Sequence, residues 1–205
     1  MPSAHSSDRI AGVATGPPVS SPRLNDMGAW LALVRAELHW QEGDLAAAAA
    51  NCAKVLAWLD QKQSPWWDGM RAQLVARLAM VVLREGDRPR SRELCAAALD
   101  TAASWLERPA LAAVIDAIAA FALQHDEPRE DAVLAATLLG AAHTIRGAFD
   151  EGSLDAPGTR DAARAVLGEA RFAAAYERGR ALGRDEAVAA ASGAVAGLAD
   201  QVLRR

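Results

Sequence analysis

Residues 36–55, AELHWQEGDLAAAAANCAKV, and residues 79–98, AMVVLREGDRPRSRELCAAA, carry one pattern at a distance of 43 positions. This shift superposes Gly43-Asp44 on Gly86-Asp87, and it also places Cys52 on Cys95 and Ala36 on Ala79. Glycine suits the left-handed residue that follows a helix, and aspartate is a good N-cap for the next helix. Each copy is therefore predicted to be a helical hairpin with its corner at the Gly-Asp pair.

The apolar residues around these corners recur at helical spacing and set the bounds of the hairpins. The first hairpin is predicted to run from about residue 29 to 59, and the second from about residue 66 to 105. A third, less regular unit has helices over residues 109–124 and 129–146 with a corner between them. Three hairpins of about 40 residues are enough for a self-supporting solenoid. In the first helix, the apolar residues at this spacing are Trp30, Leu31, Leu33, Val34, Leu38 and Trp40.

The repeat resembles the tetratricopeptide repeat, in which a small first-helix residue and a Gly-acidic corner precede small residues in the second helix. Small residues at these positions let two helices approach closely. The spacing of 43 exceeds the standard repeat of about 34 residues, so longer helices are predicted. The matching positions are Ala36 and Ala79 in the first helices, and Ala48, Cys52, Val55, Ser91, Cys95 and Ala98 in the second helices.

The composition agrees with a helical protein and excludes several classes of function. The chain has 205 residues, and alanine makes up roughly a quarter of them, which favours helices because alanine loses least on entering one. A net charge of −4 and an isoelectric point near 5.6 argue against direct binding to nucleic acid. The apolar segments are too short to span a bilayer, and no secretory signal is present, so a cytoplasmic protein is expected. Arginine supplies most of the basic residues, as is typical of a GC-rich, for example actinobacterial, genome.

Three segments of different character divide the chain. Residues 1–26 are rich in Ser, Gly and Pro and have no apolar stripe, so a flexible leader or linker is predicted there. Residues 27–147 hold the three hairpins, and residues 148–205 are predicted to form a C-terminal helical cap of the same domain. The cap helices are expected over residues 159–167, 169–182 and 184–203. The predicted fold is an all-α, right-handed solenoid of three tetratricopeptide-like hairpins closed by this cap.

The C-terminal third carries a string of residues that resembles the end of a known group of proteins. This group is the large bacterial transcriptional regulators of the Streptomyces antibiotic regulatory protein (SARP) and LuxR-type ATP-binding classes. The resemblance covers residues 29–192 and implies a sensory or interaction domain attached to an ATPase and a DNA-binding domain. No phosphate-binding loop and no helix-turn-helix with a basic recognition helix occurs in this chain. The string consists of Leu138-Leu139-Gly140-Ala141-Ala142, Ile145-Arg146, Leu167-Gly168, Phe172, Ala175-Tyr176, Gly179-Arg180-Ala181-Leu182 and Glu186-Ala187.

Catalytic and metal-binding patterns are missing from the sequence. The histidines and cysteines form no pair with the spacing of metal ligands, and no G-x-S-x-G nucleophile motif occurs. Cys52 and Cys95 lie on repeat-packing positions, where burial raises the pKa of a thiol and quenches its reactivity. The chain is therefore predicted to be no enzyme and to hold no cofactor or metal.

Asp116 stands out because it lies inside the apolar helical segment 111–118. A buried carboxylate must find a partner or shift its pKa. By repeat counting, Asp116 occupies a first-helix position that faces the concave groove of a solenoid. Two interpretations remain open, contact with a partner in the groove or an internal salt bridge to Arg71 or Arg77. The predicted groove residues are Glu37, Trp40, Arg77, Met80 and Asp116.

Other surfaces suggest further ways to bind. Trp66 and Trp67 are about 100° apart on a helix, so at least one is predicted to be an exposed anchor for a partner. The favoured function is binding of a protein, peptide or neighbouring domain, such as the ATPase or DNA-binding domain of a regulator. One alternative is a small-molecule effector held by Trp40, Met80 and Asp116. Another is a homodimer formed through an apolar stripe on the last helix, which would otherwise cap the core and consists of Ala187, Val188, Ala191, Val195, Leu198 and Val202.

Overall fold

Every regular element in the residues that the structure describes, 26–62, 67–104, 108–123, 128–153 and 155–197, is helical in this computed structural model. The predicted all-α fold is therefore confirmed. None of these helices has the length and apolar content that a membrane span requires. In chain order they are α1 (Asp26–Glu42), α2 (Leu45–Asp60), α3 (Asp68–Arg84), α4 (Arg88–Ala103), α5 (Arg108–Ala122), α6 (Pro128–Arg146), α7 (Ala156–Leu167), α8 (Glu169–Arg180) and α9 (Arg184–Ala196).

Both predicted Gly-Asp corners are present. Gly43 and Gly86 have φ angles of +79° and +89°, a left-handed conformation that glycine adopts without steric cost. The Asp44 carboxylate accepts a hydrogen bond from the amide of Ala47, and the Asp87 carboxylate accepts one from the amide of Arg90, both at 3.0 Å. These caps satisfy amide groups that the first turns of α2 and α4 leave without helical partners.

Helices that are neighbours in the chain pack in pairs, α1 with α2, α3 with α4 and α5 with α6. Helix α3 also packs against α2 and α5, so the middle pair lies between the other two. The eight small repeat positions named above are all 1% exposed or less, as the close approach of the helices requires. The right hand of the stack and its tetratricopeptide-like solenoid form stay predictions.

The apolar residues that recur at helical spacing in α1 are divided between two faces. Leu31, Val34 and Leu38 are exposed, whereas Trp40 is buried. The buried face consists of Ala29, Ala32, Ala36 and Trp40, and it includes the predicted packing position Ala36. Small alanine side chains let α1 approach the neighbouring helices, and the larger aliphatic residues are left on the opposite face.

The C-terminal helices fold back onto the stack. Helix α8 packs along α6, and α9 packs against α4, α5 and α6. In the described part of the last helix, the proposed dimerisation stripe is turned to the core, because Ala187, Ala191 and Val195 are buried there. Helix α9 also ends at Ala196, earlier than predicted, because Gly197 takes a left-handed φ of +77°. Leu198 and Val202 lie outside the described residues.

Candidate functional site

Three of the predicted groove residues, Glu37, Trp40 and Arg77, lie where α1 meets α3. Arg77 donates a hydrogen bond from its guanidinium to the Glu37 carboxylate, and both side chains are partly buried. The guanidinium of Arg84 lies over the Trp40 ring, 3.9 Å from the ring centroid. The ring of Trp40 is therefore buried beneath an arginine. Such a contact combines burial with cation–π attraction.

Asp116 extends this charged region onto α5. Its side chain is 2% exposed, and Arg146 at the end of α6 donates a hydrogen bond of 2.5 Å to its Oδ2 atom. The predicted salt bridge to Arg71 or Arg77 is therefore wrong, since Arg71 pairs with Asp60 and Arg77 pairs with Glu37. Arg146 is the partner because α6 packs along α5 and ends beside the carboxylate.

Burial raises the pKa of Asp116 to about 6, although the positive charge and hydrogen bond of Arg146 act to lower the pKa. The carboxylate loses more by leaving water than it gains from one cation. Arg146 also lies 3.8 Å from a carboxylate oxygen of Asp150. One guanidinium therefore faces two carboxylates at the end of α6.

The segment between α6 and α7 brings acidic residues to the arginines. Gly147 has a φ of +94° and turns the chain after α6. Phe149 then packs against the main core, and Ala156 at the start of α7 is fully buried in it. Burial raises the pKa of Asp155, while the charges of Arg77 and Arg84 lower the pKa. The charge of Asp155 is therefore near enough to the arginines of α3 to interact with them electrostatically.

We call this set of side chains the inner-face cluster. Its arginines come from α3 and α6, and its carboxylates come from α1, α5 and the acidic segment. Asp155 interacts electrostatically with both parts of the cluster. Its charge raises the pKa of Asp116, and the charges of the α3 arginines lower the pKa of Asp155. The members are Glu37, Arg77, Arg84, Asp116, Arg146, Asp150 and Asp155.

The remaining predicted site residues lie elsewhere or are covered. Met80 is buried in the main core. Trp67 is partly buried, and its ring meets that of Trp58 edge to face with centroids 5.1 Å apart. Trp66 lies outside the described residues. Contact of the groove residues with a partner stays a prediction.

The structure offers little chemistry for catalysis in its described part. Burial raises the pKa of Cys52 to about 11 and that of Cys95 to about 12, so both thiols are protonated near neutral pH. No group of three or more His, Cys, Asp or Glu side chains is arranged to hold a metal ion among these residues. A hollow of about 170 Å³ between α1, α2 and α3 is lined by Ala29, Leu33, Trp58 and Met70.

Sequence reasoning missed two features. Asp150 and Asp155 are not among the predicted site residues, although acidic residues directly after the helix-terminal Arg146 are a signal for charge pairing. The second feature is a row of exposed apolar side chains on α1. Its signal is the spacing of residues 27, 31, 34 and 38, which lie on one helix face.

Comparison of the chain with protein-family models, with curated proteins and with solved structures finds no significant match.

Proposed function

We propose that this chain is a non-enzymatic interaction domain of three tetratricopeptide-like hairpins in a right-handed solenoid, which binds a protein segment or neighbouring domain on its inner face. The observation that carries the proposal is that Arg146 pairs with Asp116 and with Asp150, which belongs to the acidic segment between α6 and α7. A carboxylate of that segment is thus already bound by an arginine on this face. The partner is accordingly an acidic segment that contacts the inner face beside Asp155.

The face next to the acidic segment remains open on α3. Spacings of four and seven residues place Gln73, Arg77 and Arg84 on one side of the helix. Gln73 and Arg84 are exposed, and Arg77 is partly exposed. An acidic partner can therefore reach two arginines and an amide that donates hydrogen bonds.

Two further observations support a binding role over a catalytic one. The thiols are buried and protonated, and the carboxylates of Glu37 and Asp116 are paired with arginines. The hollow beside Trp58 is shallow, since its volume of about 170 Å³ includes open solvent and it encloses no space for a water molecule, whereas most small-molecule sites enclose about 300–1,000 Å³. A protein partner is favoured over a small-molecule effector for this reason.

The place of the domain in a larger system follows from the resemblance of the C-terminal string. The residues from Leu138 to Ala187 resemble the end of SARP and LuxR-type regulators. This resemblance supports a regulatory domain that contacts the ATPase or DNA-binding part of a transcriptional regulator.

Photo-cross-linking in cells tests the proposal. The photoreactive residue benzoylphenylalanine is placed at the exposed Gln73 of α3 and, as a matched control, at the exposed Arg92 of α4. We expect one protein to be cross-linked from position 73 and not from position 92. Absence of any cross-linked protein at position 73, or equal cross-linking at both positions, would overturn the proposal.

The chemistry of the partner is tested next on the protein that is identified. Gln73→Glu adds a negative charge to the open face, and we expect it to weaken binding about tenfold, whereas Gln73→Lys strengthens it. Arg92→Glu serves as the control for charge elsewhere. An affinity that does not respond to the charge at position 73 would contradict an acidic partner.

A further inference from the structure

Helix α1 has two opposite apolar faces, and the part of the chain that the structure describes covers only one of them. One face packs against the rest of the stack, and its residues Ala29, Ala32, Ala36 and Trp40 are buried. On the opposite face, four large aliphatic side chains are at least half exposed. They are Met27 (66%), Leu31 (50%), Val34 (54%) and Leu38 (50%), and we call them the α1 stripe.

The internal repeat allows the α1 stripe to be compared with the equivalent positions of α3. The shift of 43 positions places Leu31 on Leu74 and Leu38 on Val81 of α3, and both α3 residues are buried. It also places Met27 on Met70, which faces Ala29, Leu33 and Trp58 of the first hairpin. Arg77, at the position of Val34, pairs with Glu37 of α1.

Met70 and Arg77 show that α3 uses positions of this row to pack against the first hairpin. The α1 stripe therefore has the character of a helix-packing surface. In repeat proteins, an apolar face of this kind is normally covered by a packed neighbour, and only a face that remains in water is polar. A row of four aliphatic residues on the outer face of α1 indicates a helical partner.

We propose that the α1 stripe binds a second copy of this chain, with the two α1 helices packed antiparallel about a two-fold axis. The residue spacing of the stripe is four, three and four, which reads the same in both directions. An antiparallel pair therefore brings Leu31 of each chain to Val34 of the other, and Met27 to Leu38. A two-fold interface needs such a self-complementary surface.

The identity of residue 34 favours a second copy over a further repeat of the same kind. Within the chain, the interface between hairpins contains the Arg77–Glu37 ion pair. The stripe has the uncharged Val34 at the position of Arg77, so it cannot form the corresponding ion pair with a further repeat of the same kind. In the two-fold pair this position meets Leu31, and an aliphatic residue is the one that fits.

The size of the stripe sets the strength of the dimer. Four half-exposed side chains offer a few hundred Å², whereas each partner of a standard interface contributes about 800 Å². The dimer is therefore weak, with a dissociation constant in the micromolar range. The α1 stripe is a different surface from the inner face, so a failure of the dimer proposal would not affect the proposed function.

Sedimentation of the full chain over a range of concentrations is the first test. We expect the average mass to rise from the monomer value of 21.5 kDa toward twice that value as the concentration passes through the micromolar range. Leu31→Glu should weaken the dimer at least about 100-fold, because it places a charge in the apolar interface. Val166→Glu alters an exposed apolar residue of α7 and should leave the dimer intact.

Disulfide cross-linking tests the antiparallel arrangement. The Met27→Cys and Leu38→Cys chains should form a disulfide when they are mixed and oxidised, and neither should form one when it is oxidised alone. In the antiparallel pair, two copies of residue 38 are about 16 Å apart along the helix axis, beyond the reach of a disulfide. The native Cys52 and Cys95 are buried and do not compete.

Three outcomes would overturn the proposal. One is a chain that remains monomeric up to about 200 μM, since the expected dissociation constant is micromolar. The second is a dimer whose stability Leu31→Glu does not change. The third is cross-linking of each single-cysteine chain with itself but not with the other, which would indicate parallel helices.

Discussion

The two ends of the helical stack differ in how far their apolar surface is covered. At the first end, α1 presents four aliphatic side chains that no other described part of the chain covers. At the last end, α8 and α9 fold back onto α4, α5 and α6 and bury the apolar residues of the cap. Composition does not explain this difference, since both ends are rich in alanine.

Small residues at the helix crossing explain why the last end is closed. A side chain on Gly140 would meet the backbone of Tyr176, and a side chain on Gly179 would meet the backbone of Thr137. The backbones of α6 and α8 therefore touch, and His143 Nδ1 lies 2.7 Å from the Tyr176 hydroxyl, within hydrogen-bonding distance. In this alanine-rich protein, small residues mark the contacts between helices more reliably than large apolar residues do.

The largest effect on stability is expected from Gly179→Val at the last end of the stack, where α8 crosses α6. The added side chain must push α8 away from α6, and we expect the free energy of unfolding to fall by roughly 4 kcal/mol. Urea unfolding followed by circular dichroism measures this loss. The control is Gly158→Ala in α7, where the added carbon meets no atom and a gain of about 0.5 kcal/mol is expected. Equal effects of the two substitutions would contradict the close crossing.

A pH-dependent effect of similar size is expected at Asp116, which ties α5 to the start of the acidic segment. Burial raises its pKa from 3.8 to about 6, so the folded protein holds a proton that the unfolded chain releases. Asp116 thus contributes stability that is fully present below about pH 4 and is lost as the pH rises through 6. A shift of about two pKa units corresponds to about 3 kcal/mol.

Asp116→Asn removes this titration and isolates its contribution. As the pH rises from 4 to 7, we expect the wild-type chain to lose about 3 kcal/mol of stability relative to the Asn variant. Urea unfolding at several pH values gives the two curves. Asp185→Asn, at a side chain that is 99% exposed, should run parallel to the wild type. Parallel curves for Asp116→Asn would show that the carboxylate stays charged in the fold.

The same substitution at two equivalent positions compares the open end with the middle of the stack. Ala79→Leu should cost about 2–3 kcal/mol, because α3 is held between two hairpins and the larger side chain has no room. Ala36→Leu should cost about 1 kcal/mol, because no described helix packs on the outer face of α1, which can therefore move outward. Ala53→Leu, at an exposed position of α2, controls for the change of residue. An equal loss at positions 36 and 79 would mean that the first hairpin is as firmly held as the second.

The sequence predicts the features of this fold that local chemistry determines. The corners at Gly43 and Gly86 require a left-handed residue and a cap, and the small repeat positions require close packing, so both can be derived from residue type and spacing. The partner of Asp116 could not be derived in this way. Arg146 lies 30 residues away on another helix, and only the packing of α6 on α5 brings the two charges together.

The exposed face of α1 could not be read from hydrophobicity either. Leu31, Val34 and Leu38 have the helical spacing of a core stripe, and so do the alanines on the opposite face. Which face is buried depends on how closely α2 and α3 approach the helix. The inner-face cluster was predicted in part, since Glu37, Arg77 and Asp116 belong to it, whereas Asp150 and Asp155 come from a loop without periodic structure.

The smallest effect is expected at the open end, from Leu38→Gln. The side chain is half exposed in the single chain, so at low concentration the free energy of unfolding should stay within about 0.5 kcal/mol of the wild type. At high concentration the outcome differs, because a dimer stabilises the folded chain by mass action and raises its melting temperature. The wild-type midpoint should then rise with protein concentration, while that of Leu38→Gln stays constant. Val166→Gln is the matched control and should keep the concentration dependence, since Val166 lies on α7 outside the stripe. A midpoint that is independent of concentration in all three proteins would mean that the first end of the stack is simply an exposed helix.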